Sequence, residues 1–279
     1  MATPAESADT PAQNTNVEAS QPETNQTATS TTTEAQPEKN VEVELGLPSS
    51  AADGLIRKPF PRPLDTSKAP TPDPLSSDQQ AKYDAVLKAV SEWTTVPTTS
   101  EKNAATAEIT DDERMWLTRD CLLRYLRATK WNVSEAVSRL QRTLTWRREY
   151  GMEKLTADYI SPENETGKQI ILGYDIHARP CLYLLPSNQN TEKSDRQIQH
   201  LVFMLERVID LMGPDQETLA LVVNYNDSKS GQNATVTQAK QTLNILQNHY
   251  PERMGRALVI NGECCPLDVS PESITNVVY

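Results

Sequence analysis

Residues 218–225 (TLALVVNY) are almost wholly apolar, and this constrains the fold more than any other segment. Successive side chains of a strand point to opposite faces, so a strand apolar at nearly every position must be covered on both. Strands of parallel sheets read this way. The neighbouring segments agree. Residues 194–212 carry Ile198, Leu201, Val202, Leu205, Val208, Ile209 and Met212 as one helical stripe, and Gly213–Pro214 ends it. Residues 235–250 read as a second helix, and residues 256–261 (RALVIN) as the next strand. Upstream, residues 168–174 (KQIILGY) and 181–185 flank the turn 175–180 (DIHARP) and predict a hairpin. The order ββαβαβ implies an α/β domain whose parallel strands are joined by helical crossovers.

Before residue 152 the period is helical. Tyr83, Val86, Leu87, Val90 and Trp93 share a face within residues 77–93, and residues 96–107 read as a polar loop. Thr110 with Glu113 predicts a capping box, Thr118 caps the helix carrying Leu122, Leu123, Tyr125 and Leu126, and Asn132 with Glu135 predicts another box. The last helix carries Ala136, Val137, Leu140 and Leu144, and stops at Gly151. The expected division is therefore a tail with a Pro-rich linker (1–75), an all-helical lobe (76–151), an α/β lobe (152–261) and a distinct segment (262–279).

Residues 1–75 are rich in Thr, Ser, Pro, Glu, Asn and Gln and nearly free of aromatics, a composition that predicts disorder. The first fifty hold eight acidic residues against Lys39 alone, seven of the chain's eleven net negative charges. The acidity thus belongs to the tail, and no basic footprint for nucleic acid appears. No apolar run reaches the roughly 20 residues of a membrane span, and MATPAESADT is neither a signal nor a transit peptide.

The chemistry-bearing residues do not assemble into an enzyme. Cys121, Cys181, Cys264 and Cys265 lack metal-ligand spacing and read as reduced thiols, with palmitoylation of the Cys264–Cys265 pair as the alternative. His177, His200 and His249 are scattered, without the i+4 partner of a helical metal site. There is no GxSxG elbow and no phosphate-binding glycine loop, although the loop after Tyr225 lies where a doubly wound fold would place a nucleotide. What remains is charge at element ends: Arg124, Arg127 and Lys130 on one helix, Arg142, Arg147 and Arg148 on the next, and Glu252–Arg253 after Pro251. Spacing alone fits solvated, dipole-matched helix ends and an exposed turn pair.

Four segments, in order, change that reading: CLLRYLRATKWNVSEAVSRLQRTLTWRREYG, ILGYDIHARPCLYLLP, QHLVFMLERVIDLM and LNILQNHYPERMGRALVIN. Together the chain resembles the CRAL-TRIO lipid-transfer family, and within it the fungal phosphatidylinositol transfer proteins. The resemblance implies non-enzymatic binding and transfer of phosphatidylinositol, no cofactor beyond the bound lipid, and transient contact with a membrane surface. It also implies a monomer in the cytoplasm, peripheral to endoplasmic reticulum, lipid droplets or Golgi. It places the head group at Glu252 of the YPER motif and at Lys130 with Thr129, and the acyl chains against Leu219, Leu221, Val223 and Tyr183. Two other classes stay open: a lipid-regulated interaction module and a nucleotide-using enzyme.

Three departures from the family pattern matter. Thr129 stands where an arginine is frequent, which removes a bidentate phosphate contact. Leu219 and Leu221 stand where phosphatidylcholine binders carry hydroxyls. Leucine cannot pair a phosphate, so the expectation is no phosphatidylcholine binding and a second, apolar ligand such as a sterol. After Asn261 the family pattern gives way to GECCPLDVSPESITNVVY. The residues Gly262–Glu263–Cys264 can be encoded with the splice-donor string GTGAGT, so a retained intron is one expectation. A chain truncated after Asn261 would leave an apolar floor without a lid, with low solubility and little transfer.

Overall fold

The computed structural model describes Phe60 and residues 62–260. The expectations for residues 1–59, for Cys264–Cys265 and for the segment after Asn261 lie outside the described residues.

Helix α1 (Ser77–Ser91) starts at Ser76, whose hydroxyl accepts from the Gln79 N–H while the Gln79 side chain accepts from the Ser76 N–H. It buries Tyr83, Val86 and Val90 against α3 (Arg119–Ala128), with Leu87 left exposed. Residues 96–107 are not simply a loop. Strand β1 (Thr95–Pro97) pairs antiparallel with β2 (Thr106–Glu108). Fully buried Val96 is the reason, because it anchors a small cluster with Ile109 and Leu144. Helix α2 (Asp111–Trp116) has the expected Thr110–Glu113 box, and Thr118 caps α3. Helix α4 (Val133–Tyr150) shows only half of its expected box. Asn132 accepts from the Glu135 N–H, but the Glu135 carboxylate turns to Arg142 instead, at 2.7 Å. Gly151, in the left-handed region at φ 71°, ends α4 as expected.

Helix α5 (Ala157–Asn164) leads into a four-stranded sheet of order β3–β4–β5–β6. Strands β3 (Gln169–Tyr174) and β4 (Pro180–Leu184) form the antiparallel hairpin, while β5 (Leu219–Asn224) and β6 (Met254–Ile260) continue parallel to β4. The crossovers run through α6 (Asp195–Asp210) and α7 (Val236–His249), as the element order implied. The Pro-rich linker lies on this hairpin: Lys68 N–H donates to Ile176 O at 3.2 Å, and Phe60 stands beside Gly173.

The main core lies between α4, α6, α7 and one face of the sheet. Leu182 and Leu219 join Ile198, Leu201, Val202, Leu205, Val208, Ile245 and Tyr250. Gly255 has a steric reason to be glycine. It is skipped in the β5–β6 register as a bulge, and a Cβ there would stand 2.4 Å from Thr218 Oγ1 and 2.5 Å from Arg179 Nε. A buried polar knot closes the sheet's other end. Lys168 pairs with buried Glu163 and donates to Gln189 and Thr191, so this buried charge is fully satisfied.

Candidate lipid head-group site

The end of α3 is built by backbone geometry. Trp131 N–H donates to Leu126 O at 2.7 Å and Lys130 N–H to Arg127 O at 3.0 Å, the paired bonds of a Schellman closure. Glycine normally occupies the left-handed position of that motif. Here Lys130 holds it, at φ 52°. Thr129 Oγ1 donates back to Tyr125 O at 2.9 Å, so its hydroxyl serves its own helix.

The turn after α7 meets this helix end. Residues 250–253 (YPER) close with Arg253 N–H to Tyr250 O at 3.3 Å, and Glu252 sits at φ 59°. Proline second and a positive φ third make this a type II arrangement, in which glycine is the usual third residue. Arg253 O accepts from Leu219 N–H at 2.8 Å and fixes the turn to β5. Glu252 Oε2 stands 4.0 Å from Arg127 Nε, with the two side chains 47% and 35% exposed. Of the residues named from sequence, Glu252 stands near Arg127 of α3, and Lys130 follows at the end of that helix; both hold backbone conformations that L side chains rarely adopt.

Sequence reasoning missed how this corner is held. Glu217, in the loop before β5, accepts from Arg127 Nη2 at 2.8 Å and from Arg124 Nη1 at 3.3 Å. Arg253 Nη1 donates to Glu217 O at 2.9 Å. Two guanidiniums thus hold the Glu217 carboxylate and a third holds its backbone carbonyl, with Glu252 near Arg127 at the rim. Burial, and then the neighbouring Arg124, lower the Arg253 guanidinium to about 10. No local pattern joins Arg124 to Glu217; only the gathering of three arginines on this one residue, seen once folded, identifies the group.

The four residues expected against acyl chains do not share a face. By register, Leu219, Leu221 and Val223 lie with Leu182 and Leu184 on the face toward α6 and α7. Tyr183 pairs with Val222 on the opposite face, with Cys181 and Ala220. Leu219 is fully buried in the core and Leu221 packs against it. A cleft of ≈ 740 Å³ lies elsewhere, between α2, α4 and α6, lined by Trp116, Met152, Phe203 and the mutually paired Arg147–Glu206 and Arg148–Glu113. Among the described residues no group of His, Cys, Asp and Glu is arranged to hold a metal, and no helix is long and apolar enough to cross a membrane.

Comparison with known proteins gives this geometry its context. The CRAL/TRIO N-terminal domain model matches residues 82–142 and the CRAL/TRIO domain model residues 164–262. A CRAL-TRIO domain-containing protein of Schizosaccharomyces pombe is 51% identical over 75% of this chain and 21% of its own length. The phosphatidylinositol transfer protein PDR17 of Saccharomyces cerevisiae is 38% identical over 71% of this chain and 62% of its own length. The Sec14 cytosolic factor of Schizosaccharomyces pombe is 25% identical over 72% of this chain and 71% of its own. This chain thus spans about a fifth of the first relative and under two thirds of the second. CRAL-TRIO proteins are lipid-binding and lipid-transfer proteins, and with both domain models matched in order over more than half of its length, this chain belongs to the CRAL-TRIO family.

Proposed function

We propose that this chain binds phosphatidylinositol and carries it between membranes without covalent chemistry. The supporting observation is the corner where the end of α3 meets Glu252. A half-exposed carboxylate suits the hydroxyls of an inositol ring, and the adjacent cations of Arg127 and Lys130 suit its phosphodiester. The name of the PDR17 relative supports the same ligand. The acyl chains lie along the sheet at Leu221 and Val223, with Leu219 behind them and Tyr183 left out on the opposite face.

Phosphatidylcholine is excluded in this reading. Leu219 and Leu221 offer no donor to its phosphate, and Leu219 is committed to the core. The second ligand is apolar, a sterol being the simplest. The protein works as a monomer through transient contact with endomembranes from the cytoplasmic side, which the name of the Sec14 cytosolic factor supports.

The test is transfer of labelled lipid between donor and acceptor vesicles by the purified chain. Phosphatidylinositol should move, Glu252→Gln should reduce its transfer about tenfold, the worth of one charge-assisted contact, and phosphatidylcholine should stay at background. Robust phosphatidylcholine transfer overturns the specificity. No phosphatidylinositol binding by the unaltered chain overturns the function.

A further inference from the structure

We infer that the cleft between α2, α4 and α6 is a docking groove for a partner protein, and that it takes a segment in which basic residues alternate with apolar ones. None of the residues lining it belongs to the head-group corner, so the groove and the lipid site can be tested apart.

Two consecutive arginines of α4 hold the groove open. Arg148 donates to both carboxylate oxygens of Glu113, at 2.5 and 2.7 Å, and to the carbonyls of Val96 and Glu108, at 2.7 and 2.8 Å. These bonds tie α4 to α2 and to the β1–β2 hairpin. Arg147 donates to both oxygens of Glu206, at 2.9 and 3.0 Å, and ties α4 to α6. The walls are thus fixed before anything binds, which lowers the ordering cost of binding. The space left between them, ≈ 740 Å³, is of the size that binding sites occupy, about 300–1,000 Å³.

The chemistry of the lining selects the occupant. Half-buried Trp116, Met152 and Phe203 give the groove its apolar surface. Arg147 stands over the Trp116 ring and Arg207 over the Phe203 ring, each at 5.5 Å, so both rings are already held by a cation. The lining carries five carboxylates against three guanidiniums. Glu113 and Glu206 are engaged by Arg148 and Arg147, and Arg207 pairs with Asp210 at 3.0 Å. That leaves Glu108 at the end of β2, Asp112 at the start of α2 and Glu153 just after α4. All three are exposed and have no ion pair among the described residues. The unpaired charge at the rim is therefore negative. It repels an anionic bilayer, and it repels this chain's own first fifty residues, which carry seven net negative charges. A partner segment that sets leucine or aromatic side chains on Trp116, Met152 and Phe203, and lysines or arginines on the three rim carboxylates, satisfies both halves of the groove.

The probe is a fluorescent peptide of alternating lysine and leucine with one tryptophan, titrated with the full chain and followed by anisotropy. Peptides with glutamate for each lysine, or serine for each leucine and tryptophan, should bind at least about tenfold more weakly. Neutralising the rim with Glu108→Gln, Asp112→Asn and Glu153→Gln together should cost about tenfold, the combined worth of three exposed ion pairs. Neutralising Asp73, Asp84 and Glu92, three exposed acids outside the groove, should cost nothing. Phe203→Gln should weaken binding in the same way, and Met152→Gln carries that arm if Phe203→Gln melts early. Phosphatidylinositol binding should be the same in the rim variant as in the unaltered chain. No binding of the basic peptide, equal binding of the glutamate peptide, or equal losses in the two triple variants overturns the groove. Loss of phosphatidylinositol binding in the folded rim variant overturns its separation from the lipid site. Tighter peptide binding after Leu55→Ser with Ile56→Ser would put the chain's own residues 55–58 (LIRK) in the groove and overturn the partner.

Discussion

Two of the contacts between the helices of residues 77–150 and the α/β elements treat polar groups in opposite ways. At the α4–α7 contact, polar side chains are largely paired. Tyr125 Oη lies 2.8 Å from Thr143 Oγ1 and 3.3 Å from His249 O. Arg139 donates to Gln247 O at 2.7 Å, which satisfies a carbonyl at the end of α7. His249 stacks on Trp146 at 4.1 Å and 4°, and Arg147 grips Glu206 through two bonds of 2.9 and 3.0 Å, with Tyr250 Oη donating to the same carboxylate at 2.6 Å. At the α3–Glu252 corner, cations keep unspent donors, and three non-glycine residues, Lys130, Trp131 and Glu252, hold positive φ. Close pairing makes a joint that holds, whereas unspent donors on strained backbone mark a place kept for something else.

The largest effect that could break this comparison is at Glu206. Burial by itself would raise its carboxyl, but the Arg147 fork outweighs that and holds it below the usual range. Glu206→Ala leaves the largely buried Arg147 without its carboxylate partner, with only the Trp116 ring beside it, and should cost about 3 kcal/mol, about 10 °C in melting temperature for a domain of this size. Phosphatidylinositol affinity of the folded fraction should change little. A Glu206→Ala chain that melts normally but loses lipid would show that the paired contact is also a ligand site.

Much of this contact was legible from local rules. The caps at Thr110, Thr118 and Asn132 act over three residues, so their sequence signs survive folding. Gly151 ended α4 for the same local reason. What sequence could not reveal were pairs made by the fold, such as Arg124 and Arg127 with Glu217, or Glu135 choosing Arg142 over the cap. The sheet shows a second limit. Alternation places Leu219, Leu221 and Val223 together, but 218–225 is apolar on both faces, so the pattern cannot say which face the helices cover. Tyr183, which the family resemblance places with these leucines, lies on the opposite face.

A middle-sized effect lies in pH. Burial first, then Arg139, Arg142 and Arg147, lower His249 to about 4, and burial with Lys168 lowers His200 to about 4 against the opposing pull of Glu163. Unfolded histidine titrates near about 6.5, so as pH falls the unfolded chain takes up these protons first. The stability from neutral His249 and His200 should be whole above about pH 6.5 and be lost between there and about pH 4, at up to about 1.4 kcal/mol per pH unit for each proton. Glu113, Glu163 and Glu206, all held low, add their losses only below the ordinary carboxylate range. Urea unfolding from pH 7 to 4 should show this slope, and His249→Phe, which keeps a ring on Trp146, should remove about half of it. An unchanged slope in His249→Phe would mean that the stacked histidine is not buried as a neutral group.

The smallest effect separates the two contacts most sharply. At φ 52° and 59°, Lys130 and Glu252 stand where glycine is at ease and an L side chain costs about 1 kcal/mol. Lys130→Gly and Glu252→Gly relieve that cost, although glycine gives back about 0.5–1 kcal/mol through its freer unfolded state. Their stability should therefore stay within about 1 kcal/mol of the unaltered chain, while Lys130→Ala and Glu252→Ala keep the strain without the charge. In all four, phosphatidylinositol binding should fall about tenfold. Equal binding by the glycine variants would assign the corner to structure alone. Binding lost with stability unchanged would give the reason a lysine and a glutamate occupy positions that glycine would fill more comfortably: the corner keeps their charges for the ligand at the expense of its own backbone.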